Sequence, residues 1–294
     1  MCLERGAELN KKRLYCLSAI AKREKLNFTG MLLMLASVAM NFTYLSKLRM
    51  IIQGQTKISF LTPLLFVMCS PTVFPSPHFF MSAFLFFSLS KYPQTGKSMI
   101  YHIIRMTRKK WITYELMSML LYTVVFIVTH FIICDLALLP HISLSIEWNA
   151  ELPLWQDLLE GKWNGGIPYA IIFQLAQTHA FVLSITLWWL FSLFGGLVLI
   201  TMRLLVPTQR LIGIGFLFVL YFYDYICEYC LPYVFRYISP VALSRICFLN
   251  LGFDPSCPSI FHAYIFFLIS IIILVRVIYA LSRHVDLDLL FSRT

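Results

Sequence analysis

Six long apolar stretches dominate this chain, and they leave it very few ways to fold. The clearest are Met117 to Cys134 and Ile260 to Leu281, each close to the ~20 residues that an α-helix needs to cross the hydrocarbon core of a bilayer. A strand that crosses a membrane shows alternating apolar and polar positions over about 10 residues. These runs are continuous, so helices are expected. Composition agrees: 13% of the 294 residues are charged and 59% are hydrophobic, with a mean hydropathy of +0.76. A soluble domain carries about 25% charged residues. The expected fold class is all-α, a polytopic helical membrane protein.

Charge then orients the runs. A formal net charge of +10 would point to nucleic acid in a soluble protein. Here the basic residues flank spans and no nucleic-acid motif occurs, so lipid contact and orientation explain them. The densest cluster is Arg105, Arg108, Lys109 and Lys110, closed by Trp111 directly before the Met117 run. Basic residues beside a span favour the cytoplasmic side, where anionic lipid attracts them. Counting outward from this cluster predicts six spans near residues 28–45, 77–90, 117–134, 170–202, 211–231 and 260–281, with both termini cytoplasmic. Lys and Arg then fall about three to one on the inner side, with Lys47, Arg49 and Lys57 as a local exception outside. The expected location is a cell membrane, crossed several times.

The regions between spans carry their own signals. Residues 1–27 hold seven basic residues, with Leu14, Leu17, Ile20 and Ala21 on one helical face, as in a cytoplasmic amphipathic helix lying on the membrane. Residues 282–294 form a cytoplasmic tail. The apolar region Ile58 to Ser90 is too short for two spans, which need about 40 residues plus a turn, and it contains Pro63, Pro71, Pro75 and Pro77. Residues 58–73 are therefore read as a re-entrant or interfacial segment on the outer side, tolerated at depth only where protein or water covers it. The run from Ile167 to Met202 exceeds one span, so it is tilted or begins outside as an interfacial helix. Within it, Gly195 and Gly196 mark either a close helix contact or a flexible point. The outer loop from Tyr233 to Ser259 has an apolar middle that can fold back into the membrane.

Chemistry-bearing motifs are sparse. Thr95-Gly96-Lys97-Ser98 resembles the end of a phosphate loop, but Lys91 stands where the earlier glycine is required. No zinc-protease or nucleophile-elbow pattern occurs. His78, His102, His130, His141, His179, His262 and His284 are dispersed, and structural roles account for them most simply. Cys227 and Cys230 form a CxxC without a second pair, and Cys247 and Cys257 could pair outside. The sequons at Asn27 and Asn41 fall on cytoplasmic and spanning positions. No catalytic residue, metal site or cofactor is expected on this chain. Asp224 and Glu228, at i and i+4 in the fifth span, share a helix face and are the candidate pathway residues, Asp224 the deeper of the two.

One resemblance follows from the first inner loop. Tyr92-Pro93, then Ile103-Ile104-Arg105-Met106-Thr107-Arg108-Lys109-Lys110-Trp111 leading straight into a span, resembles the type-2 ABC exporter permeases, in particular the standalone six-span permeases of Gram-positive bacteria. Tyr114 and Glu115 replace the lysine-containing continuation usual in that family. The resemblance implies a permease subunit that exports a peptide or other amphipathic substrate. Its expected partners are a separate ABC ATPase subunit and a second permease subunit, identical or related. Ser98, Tyr101, Ile104, Arg105, Arg108, Lys109, Lys110 and Trp111 would couple it to the ATPase. The alternative is a non-transporting accessory, immunity or sensor protein of the membrane, in which Asp224 is structural. An intramembrane enzyme would need His130, Asp224 and Glu228, or similar groups, to cluster.

Overall fold

The computed structural model describes residues 28–52, 57–69, 76–90, 92, 107–139, 141–148, 167, 169–206, 212–252 and 256–284. The expected amphipathic segment 1–27, most of the tail, and Ser98, Tyr101, Ile104 and Arg105 lie outside them. In chain order the elements are helix α1 (Phe28–Ile51), strand β1 (Ile58–Ser59), helices α2 (Thr62–Met68), α3 (Pro77–Leu89) and α4 (Arg108–Ala137), strand β2 (Ile142–Ser143), and helices α5 (Tyr169–Gln174), α6 (Gln177–Leu205) and α7 (Ile212–Tyr229). A capping region follows: a 3-10 turn (Tyr233–Ile238), helix α8 (Pro240–Leu243) and a second 3-10 turn (Ile246–Phe248). Helix α9 (Ile260–His284) completes the order. The protein is thus predominantly helical. Among the described residues three helices, Arg108–Ala137, Gln177–Leu205 and Ile260–Arg283, are long and apolar enough to cross a membrane, as expected of a membrane protein.

Helix α6 is the centre of the bundle. Its most apolar stretch is 67% buried, against 33% for α4 and 17% for α9. Hydropathy does not set this order, because all three helices are apolar and the least buried, α9, is the most apolar; in a bilayer an apolar face can meet lipid as readily as protein. Helix α9 lies against α6 through a stripe that includes Ala263, Phe267 and Ile278. Its other face, with Leu268, Ile269, Ile272 and Ile273, is exposed, as suits a surface bathed in hydrocarbon. Gly195 and Gly196 sit at the closest packing. A Cβ at Gly195 would run into the Phe86 ring of α3, and one at Gly196 would lie 2.6 Å from Met119 Sδ of α4. The pair therefore serves close helix contact and not flexibility.

Hydrogen bonds show which helix ends lie together. At one end, Arg108 donates to the Arg283 carbonyl (2.8 Å) and Arg203 to the Ser90 carbonyl (2.7 Å). The start of α4 thus meets the end of α9, and the end of α3 meets the end of α6. At the other end, β1 pairs in parallel with β2, Ile58 opposite Ile142 and Ser59 opposite Ser143. Gln177 Nε2 there donates to Thr62 Oγ1 (2.7 Å), and Trp148 Nε1 to the Leu175 carbonyl (2.7 Å). Helices α3, α6 and α9 consequently run in one direction and α4 in the other.

Several boundaries differ from expectation. Helix α4 starts at Arg108, not near Met117, because Thr107 caps it: its Oγ1 accepts from the Lys110 amide (3.4 Å). The basic cluster from Arg108 onward is therefore the first turn of the helix and not part of a loop. The long run before Met202 is broken into α5 and α6 around Leu175 and Ala176. In the stretch expected to be re-entrant, α2 spans ~10 Å at 1.5 Å per residue, and all seven of its residues are buried. No disulfide joins Cys247 to Cys257. Asn41 is fully buried, so its sequon is inaccessible.

Candidate functional site

Among the described residues, charge stands out at one end of this bundle and a buried ion pair at the other. The first is the exposed start of α4. Arg108, Lys109 and Lys110 are exposed, while Trp111 is buried against the bundle. Three cations on the first turn oppose the helix macrodipole, whose positive end lies there. The arrangement weakens the isolated helix, and anionic headgroups or an acidic protein surface would offset it. Arg108 also ties α4 to the end of α9 through its bond to the Arg283 carbonyl, and Thr113 Oγ1 lies 2.8 Å from the Tyr279 hydroxyl one turn above.

The second place is the opposite end of α7. As the i, i+4 spacing predicts, Asp224 and Glu228 share one face. Asp224 is buried and Glu228 half-buried. Asp224 is fully engaged: Arg245 Nη2 donates to its Oδ2 (2.6 Å) and Ser239 Oγ to its Oδ1 (2.6 Å). Ser239 also caps α8, accepting from the Ala242 amide (3.2 Å), so one hydroxyl links the fold of the capping region to its anchor on α7. The Arg245 guanidinium, itself buried, stacks 4.4 Å over the Phe248 ring. Arg236 approaches the same ring (5.5 Å) and lies 4.8 Å over Tyr233. In this arrangement both carboxylate oxygens of Asp224 are occupied.

A second buried network adjoins the first. His78, on the first turn of α3, bonds through Nδ1 to the Tyr221 hydroxyl, which in turn donates to the His78 carbonyl (3.1 Å) and reaches Ser82 Oγ (3.2 Å). Ser244 Oγ, on the capping region, lies 3.5 Å from His78 Nε2. Trp188 and Phe191 of α6 wall the imidazole, with ring centroids 6.4 and 5.8 Å away. Tyr221 and Asp224 are three residues apart on α7, so the two networks form one polar seam between α3, α7 and the cap. His130 belongs elsewhere: Nδ1 donates to the Phe126 carbonyl (3.1 Å) and Nε2 meets Ser37 Oγ (3.1 Å), joining α4 to α1.

The sequence reading placed Asp224 and Glu228 on a shared face but did not bring in Arg245, His78, Tyr221 or Ser239. One signal was available for Arg245. A carboxylate inside a span needs a partner, and Arg245, set in the apolar stretch Val241 to Phe248, is a cation with equally little water around it. His130 bonds Ser37 and Phe126 and neither Asp224 nor Glu228, so these three side chains do not form the cluster that an enzyme built on them would need. Among the described residues no group of three or more His, Cys, Asp or Glu side chains is placed to hold a metal ion. No protein-family model, curated protein or solved structure matches this chain.

Proposed function

We propose that this protein is the membrane-spanning subunit of an ATP-driven exporter of the type-2 permease kind. In this reading six helices cross a bacterial plasma membrane with both chain ends cytoplasmic, and a separate ABC ATPase docks on the inner loop and the first turn of α4. A second permease subunit completes the transporter, and the cargo is a peptide or similarly amphipathic compound.

The observation that carries the reading is α4 itself. It is one unbroken helix of 30 residues, with an exposed basic turn at one end and the β2 strand, paired to β1, just beyond the other. A partner that shifts the basic turn moves the whole element as a rigid body, and the parallel strand pair passes that shift to β1 and the buried α2. Purification from native membranes in mild detergent should bring down a Walker-motif ATPase, and charge reversal at Arg108, Lys109 and Lys110 to Glu should release it. Orientation of the variant must be verified in parallel, because the same residues set topology. Repeated absence of an ATPase from the wild-type preparation would sink the proposal.

A second reading has one observation of its own. The Asp224–Arg245 pair gives Asp224 a structural role, as an accessory, immunity or sensor protein would use it. Unaltered export of an identified cargo by Asp224→Asn would favour that role for the residue, and the ATPase result decides between the classes.

A further inference from the structure

We infer that the capping region, residues 233–248, is a movable outer cap with two stations on α7: Arg245 on Asp224 holds it closed, and Glu228, one turn further out, receives Arg245 when it lifts. The inference rests on the transport reading only in calling the opened space an outer mouth.

Three features carry it. First, Arg245 stands between short turns and not on a long helix, so the segment can shift without unwinding a membrane-crossing element. Its ring partner Phe248 belongs to the same segment and travels with it. Second, a buried guanidinium cannot simply leave its carboxylate, because an uncompensated charge in a dry interior is costly. A second carboxylate on the same helix face, ~6 Å along the axis at 1.5 Å per residue, gives it a landing. Shifts of one helical turn past a neighbouring element are an established form of two-state change. Third, Glu228 is poised for the role. Its Oε2 is buried with no hydrogen-bond partner among the described residues, and it lies within electrostatic reach of both Arg245 and Arg236. A pair that only braced the fold would need one carboxylate.

Cys247 reports the cap position. It is half-buried beside Arg245, and burial pushes its thiol up to about 11, so it reacts slowly in the closed arrangement. The test uses the full chain purified in mild detergent, where both faces are accessible, with Cys247 as its sole cysteine and a polar maleimide. Glu228→Gln removes the open station and should slow labelling by about tenfold, the size expected for losing a charged hydrogen bond. Asp224→Asn removes the closed station and should speed it. Labelling of Glu228→Gln at or above the unsubstituted rate overturns the two-station cap. Should Asp224→Asn fail to fold, the half-buried Glu228→Gln, verified by monodisperse elution, decides alone. No cargo or ATPase enters the assay, so its failure and that of the transport reading are told apart.

Discussion

Arg245 is the buried cation that holds the capping region to α7. Its charge is compensated by Asp224 and by the face of Phe248, and Ser239 completes the carboxylate. Removing one member of a buried pair strands the other, so Arg245→Ala should cost about 3–5 kcal/mol. Replacing both, as Asp224→Leu with Arg245→Met, takes away the desolvation cost together with the attraction and should recover much of that loss. Thermal unfolding of the two variants in the same detergent checks the order. If the double variant is no more stable than Arg245→Ala, the pair is not the source of the cost.

At the scale of elements, the two glycines of α6 make different demands although they are neighbours. The Cβ of Gly195→Ala would strike the Phe86 ring, which is fully buried and pinned between Phe191 and Phe216, with centroids 5.5 and 6.1 Å away. The Cβ of Gly196→Ala would meet the flexible thioether of Met119 at 2.6 Å, which can turn aside. Gly195→Ala should therefore lose about 1–3 kcal/mol to overpacking and Gly196→Ala clearly less, a ranking that thermal unfolding in detergent measures. Sequence alone left this pair between contact and flexibility, because nothing in it names the facing residue. The same limit hid the partner of Asp224, since a contact across 21 residues is set by tertiary packing. What a single helix decides for itself was easier to read. The apolar runs gave the long helices, and the i, i+4 rule put Asp224 and Glu228 on one face. The true start of α4 was also legible, because Thr107 followed by the periodic run is an ordinary capping signal.

For the whole molecule, the contacts and the charges make one joint statement about sidedness. Contacts place the start of α4 with the end of α9, and the β1–β2 pair at the opposite end. The charge rule predicts a cytoplasmic α4 start, since Arg108, Lys109 and Lys110 are costly to move across a bilayer. Leu144, just past β2 and 90% exposed, should then face the outside, and Lys109 the inside. In intact cells an impermeant thiol reagent should label Leu144→Cys promptly, and Lys109→Cys only after permeabilisation. The reverse pattern would turn the orientation over while keeping the bundle. Prompt labelling of both would mean that α4 does not cross, which would remove the basis for treating its basic turn and the β1–β2 pair as two ends of one membrane-spanning lever.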